Sequence, residues 1–127
     1  MEQKTKYWIY KENTVPLDLA SKIVKYFNTF IRQYAIDEKT TKTTNQQPLF
    51  ALFSHPKGLQ YKYFKTTVPG FEFPQELIEL LKVAHTMVEN KYIFNAAFVN
   101  LYRDGKDCVT PHRDNTHGLD HPILSFS

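Results

Sequence analysis

A single cysteine, Cys108, excludes an internal disulfide and any multi-cysteine zinc or iron–sulfur site. Long apolar runs are missing too. No stretch approaches the roughly 18 consecutive apolar residues of a membrane-spanning helix, and the opening MEQKTKYWIY has no run of signal-peptide length. The expectation is therefore no membrane partner and a soluble, intracellular protein of the cytoplasm or nucleus. Charge of one sign is scarce: 16 Lys/Arg stand against 13 Asp/Glu, and a net +3 is by itself a weak sign of a polyanionic partner. Neither an internal repeat nor a domain-separating linker interrupts the chain. Its 127 residues allow one small domain, which excludes separate catalytic and recognition domains.

What is present points to a folded α+β domain. Hydrophobic residues make up 42% and charged residues 23%, ordinary globular values, whereas the 15% aromatic share exceeds what a plain core requires. Charge is unevenly placed: residues 1–65 hold 11 Lys/Arg against 5 Asp/Glu, and residues 66–127 hold 5 against 8, so a polyanion would meet the first half. Within residues 14–35, Ala20, Ile23, Phe27, Phe30, Ile31 and Tyr34 recur at spacings of three and four, which predicts an amphipathic helix. Lys22, Lys25 and Arg32 fall largely off that stripe. Residues 36–47, IDEKTTKTTNQQ, lack periodicity and read as a surface loop.

From Pro48 to Tyr63 two short aromatic segments flank His55-Pro56-Lys57-Gly58, a turn signal, and are expected to pair as a hairpin. Phe50, Phe53, Tyr61 and Tyr63 there are either sheet core or stacking platforms for bases, core being the commoner use. A second helix is predicted after Phe73, with Pro74 at its first position and Leu77, Leu80, Leu81, Ala84, Met87 and Val88 in helical register. His85 within it reads as a half-buried or solvent-facing helical histidine. The run YIFNAAFVNLY, residues 92–102, predicts a largely buried strand, turned by Arg103-Asp104-Gly105-Lys106-Asp107. Asn100 and Tyr102, two apart, share one face of it. PILSFS, residues 122–127, reads as the start of another strand.

The strongest chemical constellation is Thr110-Pro111-His112-Arg113-Asp114. On an extended segment His112 and Asp114 share a face, so an imidazole nitrogen and a carboxylate oxygen can reach one cation. They supply two thirds of a two-histidine, one-carboxylate triad, whose open positions suit an iron(II) oxygenase. Taken alone, His-x-Asp is more commonly a surface His–Asp hydrogen-bonded pair.

The block FNAAFVNLYRDGKDCVTPHRDN, residues 94–115, followed by PILSFS, resembles the AlkB-like 2-oxoglutarate- and iron(II)-dependent dioxygenases of nucleic-acid alkylation repair. Their Asn-x-Tyr strand, Asp-Gly turn, His-x-Asp iron motif and following strand all find counterparts, with Asn100 twelve residues before His112. Upstream, FALFSHPKG resembles the substrate-side Pro-Arg-x-x-Ala-x-Tyr-Gly segment. Ala51 matches it outright, Phe53 replaces Tyr, Ser54 replaces Gly, and Gln47 and Pro48 stand where Pro and Arg are usual. YKYF at 61–64 resembles a Tyr-x-Tyr segment, and Phe73-Pro74 with Leu77 resembles Trp-Pro-x-x-Leu.

The resemblance implies that His112 and Asp114 bind Fe(II), that Asn100 and Tyr102 hydrogen-bond 2-oxoglutarate, and that Ala51, Phe53 and Tyr61 lie on the substrate side. An amide and a phenol offer directional donors to a carboxylate without adding a competing anionic ligand. The family's distal iron-binding His and its C-terminal Arg-x-x-x-x-x-Arg element find no counterpart. His117 and His121 are candidate third ligands, although a surface role is the commoner one for histidines of such a Gly- and Asp-containing loop. The implied fold is part of a double-stranded β-helix, or jelly roll, with N-terminal helices and without its C-terminal strands. Residues 1–127 then form one incomplete domain: helices and a substrate-side hairpin over 1–91, and the start of the jelly-roll core over 92–127. A complementary C-terminal chain is an expected partner, as is DNA or RNA. The implied reaction is oxidative dealkylation of N-alkylated bases. The competing expectations are a non-enzymatic nucleic-acid-binding remnant and a dioxygenase acting on protein or small molecules.

Overall fold

A computed structural model describes residues 2–4, 9–34, 48–63, 66–109 and 122–127. Chain order is β1 (Glu2–Lys4), β2 (Ile9–Lys11), α1 (Leu17–Tyr34), β3 (Leu49–Ser54), β4 (Gln60–Tyr63), β5 (Thr66–Pro69), β6 (Phe71–Glu72), α2 (Gln75–Met87) and β7 (Ala96–Leu101). The α+β class expected from the sequence is what these elements form. Among the described residues the strands make three small sheets, β1-β2, β6-β3-β7 and β4-β5, and no closed barrel.

Both helices form where the apolar spacing places them. In α1 the stripe delivers Phe27 and Ile31 to the core, with Ile23, Tyr26 and Phe30 packed beside them. Tyr34 stays exposed at the helix end, although its ring meets Phe30 and Phe71. Pro74 is the N-cap of α2 rather than its first helical residue. Its carbonyl accepts the Leu77 and Ile78 N–H groups at 3.0 and 3.1 Å. The helix then ends through Glu89 and Asn90, whose φ values of 54° and 56° are left-handed.

α1 packs on one face of the central sheet, and α2 packs against α1, its Leu77 joining the same core. Because side chains alternate along a strand, the register pairs Leu49 with Leu101, Ala51 with Val99 and Phe53 with Ala97 on the helix side. Phe53 has no exposed surface and is ringed by Phe27, Phe30 and Phe71 at centroid distances of 5.2, 5.3 and 5.9 Å. Its burial contributes on the order of 2–3 kcal/mol. Between α1 and α2, burial together with the nearby Glu76 carboxylate pushes the Tyr26 phenol above its ordinary value.

Three sequence expectations are corrected. The strands flanking His55–Gly58 do not pair with each other: β3 lies between parallel β6 and antiparallel β7, and β4 pairs with β5. The turn is real, but it is tied elsewhere. His55 donates its N–H to Asn95 at 2.8 Å, and Gly58 and Leu59 exchange hydrogen bonds with Gly70 at 3.0 and 2.9 Å. The strand expected over 92–102 is shorter and not largely buried, since half-buried and exposed residues alternate along β7. Among the described residues α1 packs on one of its faces. Residues 122–127 carry no strand pairing and are mostly exposed, so the strand expected there does not form among the described residues. The loop expected over 36–47 lies outside the described residues.

Candidate cofactor site on β7

The C-terminal end of β7 carries the two candidate cofactor-binding residues. Asn100 sits opposite Phe50 on the sheet face away from the helices, beyond the reach of the core. Tyr102 comes directly after the final ladder pair, Leu49 with Leu101, and is 53% exposed. Half-buried Leu101, which packs toward the helices, separates the two, and Asn100 and Tyr102 are both exposed. Phe50 and Phe98 stack beside Asn100 with centroids 5.0 Å apart and planes 15° from parallel, giving that side an aromatic floor. An exposed amide and phenol at one strand end form a donor set that fits a carboxylate-bearing ligand.

The loop leaving Tyr102 is held by an ion pair where the sequence predicts only a turn. Arg103 donates its backbone N–H to Asp107 Oδ2 at 2.7 Å, Nε to the same oxygen at 2.8 Å and Nη2 to Oδ1 at 3.0 Å. The Asp107 side chain has no exposed surface, and that of Arg103 is 21% exposed. Hydrogen bonding from the Arg103 side chain holds the Asp107 carboxyl below its ordinary value, against the opposing effect of burial. Opposite charges four residues apart around Asp-Gly are the signal in the sequence that could have revealed the pair. Within the same turn Asp104 accepts the Lys106 N–H at 2.8 Å on its carboxylate and the Asp107 N–H at 3.3 Å on its carbonyl.

The strand is also positioned from upstream. His85, half-buried on α2, accepts the Phe94 N–H on Nε2 at 3.1 Å, and its ring lies parallel to that of Phe94 with centroids 5.8 Å apart. The imidazole thus ties the segment entering β7 to α2.

Of the substrate-side candidates, Ala51 and Phe53 lie in the helix–sheet core and present almost no surface to solvent. Phe50 is buried as well. Tyr61 stands on β4 opposite Val68 in the ladder. His112 and Asp114, and likewise His117 and His121, lie outside the described residues. Among the described residues no group of three His, Cys, Asp or Glu side chains is arranged to hold a metal, and no helix is long and apolar enough to cross a membrane. An open groove between the β2–α1 connection and α2, lined by Lys11, Thr14, Pro16, Lys82, Thr86 and Met87, includes none of the candidate residues.

No curated protein sequence and no solved structure matches the chain. A family model described as the 2OG-Fe(II) oxygenase superfamily matches residues 10–127, which takes in both helices, the central sheet and the block from Asn100 to Asp114. The chain therefore belongs to the 2OG-Fe(II) oxygenase superfamily, as an AlkB-like domain.

Proposed function

We propose that this chain serves oxidative dealkylation of N-alkylated nucleic-acid bases with iron(II), dioxygen and 2-oxoglutarate. The observation that carries the reading is the superfamily match, which spans the Asn100–Asp114 block. In this reading His112 and Asp114 ligate iron, and Asn100 and Tyr102 hydrogen-bond 2-oxoglutarate on the open face of β7. That face is one wall of a partial double-stranded β-helix beginning at residue 92, with residues 1–91 as its helical and substrate-side support. Ala51 and Phe53 act from within the core, setting the position of β3 rather than touching substrate. Iron(II) held by His112 and Asp114 would supply oxygen transfer, coupling conversion of 2-oxoglutarate and dioxygen to succinate and carbon dioxide with hydroxylation of the N-linked carbon, which would then leave as an aldehyde.

A nucleic-acid substrate is supported by charge. The first 65 residues carry 11 Lys/Arg against 5 Asp/Glu, and Lys22, Lys25 and Lys57 are exposed. Neutralised phosphates release counterions, so binding to single-stranded DNA or RNA falls as salt rises. A base within a duplex would leave the stack to be reached.

The test is the mass of an N-methylated oligonucleotide incubated with the full chain. Loss of the methyl group is expected only with iron(II) and 2-oxoglutarate together, and His112→Ala is expected to abolish it while most binding persists. Unchanged mass despite full iron occupancy, across methylated DNA, RNA and nucleotides, overturns the reading in favour of a protein substrate or a non-enzymatic role.

A further inference from the structure

We propose that Asp107 is a positioning residue for the cofactor-binding end of β7, acting through Arg103 to set the direction in which Tyr102 leaves the strand. The proposal rests on the reading that Tyr102 binds 2-oxoglutarate.

The ladder stops supporting the backbone one residue before Tyr102. Its last register pair is Leu49 with Leu101, so no pairing with β3 fixes the chain beyond residue 101. The Arg103 N–H is instead taken by Asp107 at 2.7 Å. The same carboxylate grips the guanidinium through both oxygens at 2.8 and 3.0 Å. Asp107 thus holds residue 103 at both its main chain and its side chain, immediately beside Tyr102.

Turn closure does not require this arrangement. Asp104 already caps the turn, accepting the Lys106 N–H at 2.8 Å and the Asp107 N–H at 3.3 Å. An ion pair with one side chain wholly buried is a poor source of net stability, because desolvation offsets much of the attraction. What a bidentate guanidinium–carboxylate pair adds is directional constraint. That constraint falls between Asn100 and Tyr102 on one side and the His112–Asp114 segment, five residues on from Asp107, on the other.

The experiment monitors Tyr102 directly and its ligand separately. Fluorine NMR of 3-fluorotyrosine-labelled protein, with the Tyr102 signal identified by its loss in Tyr102→Phe, reports the phenol's environment. Calorimetry with 2-oxoglutarate and Mn(II) reports binding without turnover. Asp107→Ala is expected to shift or broaden the Tyr102 signal and weaken 2-oxoglutarate about tenfold, the low end for removing a group that orients a ligand-binding residue. Asp107→Asn, which keeps an acceptor for the Arg103 N–H, recovers part of both. Arg103→Lys, which keeps the charge but lacks the fork, changes both in the same direction by less and serves if Asp107→Ala does not fold. Asp104→Ala leaves the Tyr102 signal in place and 2-oxoglutarate affinity within about twofold, since its bonds only close the turn. An unmoved Tyr102 signal in folded Asp107→Ala overturns the proposal, as does a moved signal with unchanged 2-oxoglutarate affinity. If Tyr102→Phe binds 2-oxoglutarate as the parent does, the cofactor reading itself fails and the proposal falls with it. The fluorine spectra distinguish that failure from failure of the Arg103–Asp107 hold.

Discussion

Gly70 joins β5 to β6 with its backbone pressed against the end of β3, and replacing it with alanine tests how tightly that junction is built. A Cβ at this position would lie 2.5 Å from Ser54 Cβ and 3.0 Å from Ser54 N, with the hydroxyl closer still. The shortfall from ordinary contact is about 1 Å against Cβ. Rotating the serine hydroxyl away breaks its 3.1 Å hydrogen bond from the Leu59 N–H and leaves the Cβ and backbone contacts in place. Residue 70 cannot simply withdraw, because its N–H donates to Leu59 at 2.9 Å and its carbonyl accepts from Gly58 at 3.0 Å. Overpacking of this kind costs about 1–3 kcal/mol, and losing one hydrogen bond adds about 1 kcal/mol. Gly70→Ala is therefore expected to lose about 2–4 kcal/mol in urea unfolding monitored by far-ultraviolet circular dichroism, with Tm lower by roughly 10 °C. Ser54→Gly removes both the hydroxyl and the Cβ, so the alanine should cost far less in that background, with a coupling of at least about 1 kcal/mol. Ser54→Ala keeps the Cβ and should rescue only in part. Additivity of Gly70→Ala and Ser54→Gly within about 0.5 kcal/mol would refute the steric account.

Phe53→Tyr places a hydroxyl among Phe27, Phe30 and Phe71; a loss of about 1–3 kcal/mol in chemical unfolding is expected, and a neutral result would mean that a polar partner reaches the ring. Asp107 is held more acidic in the folded chain than when unfolded, so its contribution to stability is full above the ordinary carboxylate value of about 3.9 and is lost as pH falls through the lower folded value. Asp107→Asn should flatten the dependence of stability on pH below about 4 while leaving the slope near neutrality unchanged; equal acid slopes in the two proteins would count against the ion pair.

The sequence by itself determined whatever depends on near neighbours along the chain. Helical periodicity is local, so the stripe through Phe27 and Ile31 and the register through Leu77 and Ala84 identified both helices and the faces they bury. Strand alternation is equally local, and exposure alternates along β7 accordingly, with Asn100 exposed and Leu101 half-buried. The 94–115 block, joined by the spacing of its motifs, made the superfamily legible before any coordinates. Tertiary structure alone decided which strands meet. His55–Gly58 signals a turn, but a turn names no partner, and β3 pairs with β6 and β7 because Ala51 and Phe53 bury against α1 only when Val99 and Ala97 lie alongside. It also decided how far each residue of β7 is exposed, that Gly70 is needed for space beside Ser54, and that Arg103 and Asp107 close on each other. Each of these depends on distances set by packing between segments far apart in the chain, or on how a loop settles once its strand is anchored, and residue order does not encode such distances directly.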